Sequence, residues 1–319
     1  QRSNPLSLPL LCAVRCGRCA YVRRNTCTTR SKRRNGKSRR FVAVNIFGSD
    51  KQVKAAVVGY PTMHSLSPAM HNAVFQHQNL DLTYIAVDVA VEKFAEMLKD
   101  AQTAGLRGLS VTMPHKELAF SSMDRCDERA LESRSVNTVI FEADGQMIGT
   151  NTDGDGACSA LMHCGAAIQG ASCVVLGAGA TARSIVFSLA RSGASDIAII
   201  NRSAENAQSA ASLVGVARVG STSDIATSSV LINATSVGMG NQESPISPDN
   251  LHAKLTVLDV VYFPLETAFL RAARQAGATT VDGLEMLVQQ AALQQLAWFG
   301  RMPDVGVMRN AALEELRKR

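Results

Sequence analysis

Val174-Val175-Leu176-Gly177-Ala178-Gly179-Ala180-Thr181-Ala182 is the stretch on which the fold turns. A short β-branched and leucine run gives way to glycines spaced G-x-G-x-x-A, and Ala182, Ile185, Val186 and Leu189 then recur at helical spacing until Gly193. The pattern predicts a strand, a tight turn and a helix. Glycine lets the backbone turn sharply and approach a ligand, while the free amides of a helix N-terminus present partial positive charge to an anion. Such a turn alone would equally serve as a plain strand-to-helix connection. The strand before it and the helix after it favour a dinucleotide site, with Gly177, Ala178, Gly179 and Ala180 around the pyrophosphate.

The next strand selects the nucleotide. Ile197-Ala198-Ile199-Ile200 has the apolar run of a second parallel strand and ends at Asn201-Arg202-Ser203, where an NAD site would carry an acid for the ribose 2′-hydroxyl. An arginine flanked by amide and hydroxyl groups suits a 2′-phosphate, because guanidinium grips phosphate through paired charge-assisted hydrogen bonds. NADP is therefore expected over NAD. A solvated arginine at a strand end is the alternative.

At 319 residues the chain is long enough for two cores, and it has no apolar run of membrane length. One core binds the nucleotide, so another must hold a substrate. The net charge of +6 is uneven. Of the 33 Lys and Arg, twelve fall in residues 1–40 with no acid among them, so the remainder carries 21 basic against 27 acidic residues. That tail has the composition of an organelle transit peptide; it also reads as upstream sequence outside the working protein, or as a nucleic-acid-binding arm. Its Cys12, Cys16, Cys19 and Cys27 lack regular zinc-knuckle spacing, so no metal site is expected. Cys126, Cys158, Cys164 and Cys173 read as small buried residues of a reducing compartment.

Order begins at residue 53. A strand over 53–58 leads to Ser65-Leu66-Ser67-Pro68, where Ser67 reads as an N-cap with proline at the first helical position; Ser65 and Ser67 alternatively clamp a substrate carboxylate at that helix end. A strand over 83–89, a helix carrying Phe94, Met97, Leu98 and Ala101, and a strand over 109–113 follow. Lys116 stands just beyond that third strand, where α/β proteins place ligands, although a lone lysine is usually a solvated surface residue. Strands at 136–139 and 147–150 form a hairpin turned by Asp144-Gly145, and lead into Asn151-Thr152-Asp153-Gly154. After the nucleotide crossover, Val230-Leu231-Ile232 runs into Asn233-Ala234-Thr235-Ser236-Val237-Gly238-Met239, a polar loop on the edge that forms a cofactor crevice, and a strand over 255–261 ends at Tyr262. Helices close the chain, one carrying Leu284, Leu287, Val288 and Ala291 up to Gly300.

Nine stretches in this order, SLSPAMHN (65–72), SVTMPHKE (110–117), SVNT (135–138), NTDG (151–154), GAGATA (177–182), NRS (201–203), NATSVGM (233–239), DVVYFP (259–264) and GLEMLVQQA (283–291), closely resemble the shikimate dehydrogenase family from about Val53 to the C-terminus. The resemblance implies an α/β, two-domain chain, with an N-terminal three-layer α/β substrate domain plus a Rossmann-like NADP-binding domain. Residues 1–50 would be the basic tail, 51–155 the substrate domain, 156–284 the nucleotide domain, and 285–319 C-terminal helices packing back on the substrate domain. It further implies that Ser65 and Ser67 bind the carboxylate of shikimate, that Lys116 and Asp153 are the catalytic pair, that Thr112, Asn137 and Gln290 hold ring hydroxyls or neighbouring groups, and that Tyr262 lines the site near the nicotinamide. Around the cofactor it places Gly177, Ala178, Gly179, Ala180, Asn201, Arg202, Ser203, Thr235, Ser236, Gly238, Met239 and Gly283, with Arg183 near a phosphate.

The implied reaction is the reversible NADPH-linked reduction of 3-dehydroshikimate to shikimate in aromatic amino-acid biosynthesis. Oxidation of the alcohol sends hydride to the nicotinamide and needs a proton acceptor within hydrogen-bond reach of the hydroxyl. Lys116 could accept only as a neutral amine; Asp153 would orient lysine and substrate, and the sequence leaves open which of the two moves the proton. No metal is called for, since the nicotinamide is the electron sink. Three departures from the family pattern stand out: Ser110 for an asparagine, Arg134-Ser135 for Gly-Ala, and Ala180-Thr181 for Gly-Ala. Arg134 either faces solvent or alters pocket polarity. Two other readings are a quinate/shikimate dehydrogenase with NAD preference, and a non-catalytic NADP-binding regulator whose tail contacts nucleic acid. Ser67 and Arg202 favour shikimate with NADP, and the presence of both Lys116 and Asp153 speaks against the regulator. The expected partners are a small-molecule substrate only, without nucleic acid or membrane, in a monomer or homodimer. The expected compartment is the cytoplasm, or a plastid if the tail is a transit peptide.

Overall fold

The computed structural model describes Phe47 and residues 52–319. The basic tail and Cys12, Cys16, Cys19 and Cys27, with every reading placed on them, lie outside the described residues.

The first half is built of β1 (Val53–Gly59), α1 (Ser67–His77), β2 (Thr83–Asp88), α2 (Phe94–Thr103), β3 (Gly108–Val111), α3 (Lys116–Ser122), β4 (Arg125–Cys126), α4 (Glu128–Ser133), β5 (Thr138–Phe141), β6 (Met147–Thr150) and α5 (Asp153–His163). Its strands form a mixed sheet in the order β2-β1-β3-β5-β6-β4, with β1 parallel to β2 and β3, and the β5–β6 hairpin antiparallel. Because alternate strand residues face opposite sides, Ala56, Val58, Leu109 and Val139 pack with Phe94, Met97 and Leu98 of α2, while Ala55 and Val57 pack with Phe75, Tyr84 and Trp298. The result is the expected three layers.

The second half contains β7 (Ser172–Leu176), α6 (Ala180–Arg191), β8 (Asp196–Ile200), α7 (Ala204–Ala211), β9 (Ala217–Val219), β10 (Val230–Asn233), β11 (Thr256–Asp259), α8 (Ala268–Gln275), β12 (Thr279–Val281), α9 (Gly283–Phe299) and α10 (Val305–Arg317). Its sheet is parallel throughout in the order β12-β11-β10-β7-β8-β9, so the direction of winding reverses between β7 and β10. A crevice opens at such a reversal beyond the carboxyl ends of the strands. Both faces are covered: Val175, Ile197 and Ile232 meet Ile185 and Leu189 of α6, and Val174, Leu231 and Val257 meet Phe269 and Leu270 of α8. Among the described residues no helix is long and apolar enough to cross a membrane.

Two helices carry the halves against each other. α9 puts Leu284, Val288 and Ala291 against Leu66, Met70 and Val74 around α1 and against Met308 and Ala312 of α10. The helix α5 has no counterpart in the sequence reading. Its Gly154 and Gly156 and small side chains hide the helical period, since it is buried on more than one side and needs no polar stripe. Those glycines permit the packing: a Cβ on Gly154 would lie 2.1 Å from the Ser184 carbonyl oxygen of α6, and one on Gly156 2.6 Å from Cβ of Gln290 on α9.

Other differences have local causes. Ser67 is not the cap of α1 but its first residue. Leu66 holds the cap position with helical angles (φ −87°, ψ −9°) and no side-chain bond, and Ser65 Oγ accepts from Ser67 N at 3.2 Å. The chain is therefore helical one residue earlier than an extended serine cap would allow. β3 stops at Val111, two residues short of the expected Met113, although Thr112 N still donates to Val58 O and Met113 O accepts from Tyr60 N. β5 starts at Thr138, because Val136 N donates to Lys116 O. Arg134 faces solvent and caps α4 in the left-handed region (φ 49°, ψ 40°), which glycine occupies without strain.

Candidate active site

Lys116 opens α3 after β3 and Asp153 opens α5 after β6; both strands flank β5 antiparallel to it, so their carboxyl ends deliver the two residues at the same edge of the sheet. Lys116 Nζ donates to Asp153 Oδ2 at 2.5 Å, with side chains only 17% and 8% exposed. Asn137 Nδ2 donates to the other oxygen, Asp153 Oδ1, at 2.7 Å, and also reaches Thr152 Oγ1 at 3.0 Å and Gln290 Oε1 at 3.3 Å. Its side-chain oxygen, Asn137 Oδ1, accepts from Thr152 N at 2.9 Å. Four of the residues expected at the site thus converge: Lys116, Asp153, Asn137 and Gln290. Thr181, noted in the sequence only as a departure, joins them from the nucleotide half, its Oγ1 lying 3.2 Å from both Lys116 Nζ and Asp153 Oδ2. Its only sequence signal is a hydroxyl in a turn otherwise made of glycine and alanine.

From Asn137 a buried chain of hydrogen bonds leads to Tyr84. Gln294 Nε2 donates to Asn137 O at 3.1 Å and to Thr138 Oγ1 at 3.0 Å. Ser110 Oγ donates to Gln294 Oε1 at 2.7 Å and accepts from Tyr84 OH at 2.6 Å. Burial pushes the Tyr84 phenol well above its ordinary range, keeping it a neutral donor. Ser110 is thus a relay between Tyr84 and Gln294. Neither it nor Gln294 could be singled out from sequence, because their partners are 26 to 184 residues away. Ser65 and Ser67 sit at the start of α1, and Tyr262 packs in the same cluster as Leu66 and Leu284. Burial raises the Tyr262 phenol, opposed by the nearby Arg319 guanidinium. Thr112, half-buried, follows β3 with its amide donating to Val58 O, and its side chain has no hydrogen-bond partner among the described residues.

The nucleotide turn lies at the winding reversal. Gly177 takes φ 113°, and a Cβ there would come within 3.0 Å of Ala234 O and 3.1 Å of Thr235 Cγ2, so this glycine is required by the adjoining crevice loop. Gly179 is different: a Cβ would meet nothing within 4 Å. The amides of Ala178, Gly179, Ala180 and Thr181 donate to no group among the described residues. Open space before unpaired amides at a helix start fits a pyrophosphate. Thr235 Oγ1 bonds Asn233 Oδ1 at 2.7 Å and accepts from Val237 N, fixing the loop that continues through exposed Ser236, Gly238 at φ 94° and exposed Met239. Gly283 begins α9, where a Cβ would lie 2.5 Å from Val261 O; its demand is close packing on the strand that delivers Tyr262.

After β8, Asn201 Nδ2 bonds Ser203 O at 3.0 Å and Ser203 Oγ caps α7 by accepting from Asn206 N at 3.2 Å. Arg202 is exposed between them and forms no ion pair among the described residues, so its guanidinium is available to a phosphate. Arg183 is engaged with protein: its Nε donates to Ser133 O at 2.8 Å and Nη2 to Glu117 Oε1 at 2.7 Å, tying α6 to α3 and the end of α4. Of the described cysteines, Cys158 and Cys173 are buried as expected, their thiols pushed up to about 12. Cys164 is exposed, against expectation, because it lies just beyond the end of α5.

Glycine turns in doubly wound sheets serve many enzymes. A turn whose own helix touches a buried lysine–carboxylate pair sets proton transfer beside the nucleotide, and that is the requirement of a nicotinamide-linked dehydrogenase. Comparison with known proteins narrows the class. Three family models match: the shikimate dehydrogenase substrate binding domain over residues 57–139, shikimate / quinate 5-dehydrogenase over 160–239, and the shikimate 5′-dehydrogenase C-terminal domain over 283–313. Shikimate dehydrogenase (NADP(+)) of Thermococcus kodakarensis is 39% identical over 268 residues, covering 81% of this chain and 95% of its own. That of Pyrococcus abyssi is 40% identical, covering 82% and 98%. The crystal structure of Thermus thermophilus shikimate 5-dehydrogenase in complex with NADP(H) and shikimate superposes with a TM-score of 0.78 at 34% identity, covering 82% and 99%. The chain belongs to the shikimate dehydrogenase family.

Proposed function

We propose that the chain catalyses the reversible NADPH-linked reduction of 3-dehydroshikimate to shikimate, a step toward chorismate and the aromatic amino acids. The observation that carries this reading is the Lys116–Asp153 pair at 2.5 Å, braced by Asn137 and touching the first turn of the nucleotide helix. Membership of the family and relatives named as NADP(+) enzymes support the same activity and cofactor.

Ser65 and Ser67 present hydroxyls for the substrate carboxylate at the start of α1, and Asn137, Gln290 and Thr112 present amide and hydroxyl groups for the ring. The amides of residues 178–181 hold the pyrophosphate, and Arg202, with Asn201 and Ser203, holds the 2′-phosphate. When bound, the nicotinamide supplies the hydride for reduction or takes it for oxidation. In the direction of reduction, ammonium at Lys116 gives its proton to the carbonyl oxygen as that oxygen becomes a hydroxyl. Asp153 keeps the nitrogen in place and balances its charge; in oxidation the proton returns to the amine. The proposed division is a substrate domain over 51–155 completed by the helices of 285–319, and a nucleotide domain over 156–284. A cytoplasmic location belongs to the same proposal.

Steady-state reduction of NADP and NAD by protein lacking residues 1–50, with shikimate and quinate in parallel, tests the reading. Turnover with shikimate and NADP at least tenfold above the other three combinations is expected. Preference for quinate or NAD would overturn the specificity, and silence in all four would overturn the activity.

A further inference from the structure

The hydroxyl of Thr181 is left without a purpose by the roles assigned above. It does not cap α6, whose cap is Gly179, and threonine is a poorer helix former than alanine. Its residue is the second of α6, so its unpaired backbone amide belongs to the phosphate-facing set while its side chain faces Lys116 and Asp153. One hydroxyl can accept and donate at once. Oγ1 accepts from Lys116 Nζ at 3.2 Å and donates to Asp153 Oδ2 at 3.2 Å. The lysine nitrogen then has two of its three N–H directions fixed, by Asp153 and Thr181, and the third is left for the substrate oxygen. Asp153 is the only carboxylate within ion-pairing distance of Lys116 among the described residues, so without Thr181 the nitrogen would swing about a single partner.

We propose that Thr181 is a positioning residue that links the nucleotide turn to the Lys116–Asp153 pair, orienting the lysine for proton transfer when the turn is in place. The three side chains come from α3, α5 and α6, so the hydroxyl registers the approach of the nucleotide half to the substrate half. The inference rests on the proposed roles of Lys116 and Asp153.

Thr181→Val removes the hydroxyl and keeps the shape. On the full chain with shikimate and NADP, kcat should fall about tenfold, the loss of a hydrogen bond to a charged group, while both KM values stay within about twofold. Thr181→Ser should restore kcat to within about twofold of the parent. In an Asp153→Asn background, Thr181→Val should cost nothing further, because the two act through one nitrogen. An undiminished kcat in Thr181→Val, a loss confined to the KM for NADP, failure of serine to rescue, or additivity with Asp153→Asn would each overturn the proposal. If Lys116→Ala and Asp153→Asn themselves retained parental kcat, the reading of the pair would fall and take the proposal with it. A loss in those two alone would leave the pair standing and remove Thr181.

Discussion

Each half of the molecule buries an asparagine–aspartate pair, and the two pairs do different work. In the substrate half Asn137 Nδ2 donates to Asp153 at 2.7 Å; in the nucleotide half Asn233 Nδ2 donates to Asp259 at 2.9 Å. Asp153 has Lys116 on its other oxygen. Asp259 has no cation: it accepts from Thr267 Oγ1 at 2.7 Å and Val261 N at 3.0 Å, and burial raises its carboxyl to about 6 despite those bonds. The carboxylate beside a lysine belongs to the pair to which the proposed mechanism assigns proton transfer. One among neutral donors is a brace, here holding the loop of Asn233 and Thr235 against Gly177.

The widest separation between the pairs should appear in turnover. Lys116→Ala or Asp153→Asn is expected to lower kcat by about 10²–10⁴-fold, the usual range for a proton-transferring group, with modest change in the KM for shikimate. Asp259→Asn should leave kcat within about twofold, and steady-state kinetics on the three proteins would break the comparison if Asp259→Asn were the worst.

Stability against pH separates them next. Asp259 has a folded value of about 6 against 3.8 for the free group, so the folded state holds the proton more tightly. Its stabilising contribution is present below about pH 4 and is lost as pH rises through 6, by about 3 kcal/mol. His71, buried against Tyr84 and held down to about 3, acts with the opposite sign: its contribution is full above 6.5 and is lost as pH falls below that. Urea unfolding of the parent and of Asp259→Asn at pH 4.5 and 7 isolates the aspartate, and the variant should gain on the parent as pH rises. A difference independent of pH would place the charge elsewhere.

The nucleotide edge offers a smaller, selective effect. Arg202→Ala should raise the KM for NADP about tenfold and leave that for NAD unchanged, as expected for one charge-assisted contact to the 2′-phosphate. Equal losses for both nucleotides would remove the arginine from the selection. Smallest is Arg134→Gly, which relieves a left-handed side-chain residue at φ 49° and should stabilise the fold by about 0.5–1 kcal/mol in thermal unfolding, kcat unaltered.

The nucleotide turn was legible because it is built from backbone: a ligand that binds amides needs glycine at fixed spacing and a strand and helix on either side, and Gly177, Gly179 and the period of α6 all state that locally. Lys116, Asp153, Ser65 and Ser67 were legible as strand-end or helix-start residues, and the resemblance of nine ordered stretches gave them their proposed roles. Hydroxyl relays have no such period. Ser110, Gln294 and Thr181 acquire partners only when elements distant in sequence are packed together, and α5 was missed because burial on several sides erased its amphipathic pattern.

By itself, then, the sequence determined the parallel nucleotide half, the place of its phosphate turn and the absence of an acid where NAD would be held, since each depends on neighbours a few residues apart. Only the tertiary structure decided that Thr181 meets the Lys116–Asp153 pair, that Arg183 bridges α6 to Glu117, and that Asp259 is a brace. Hydrogen-bond geometry and burial are set by which surfaces pack together, and packing joins residues without regard to their separation along the chain.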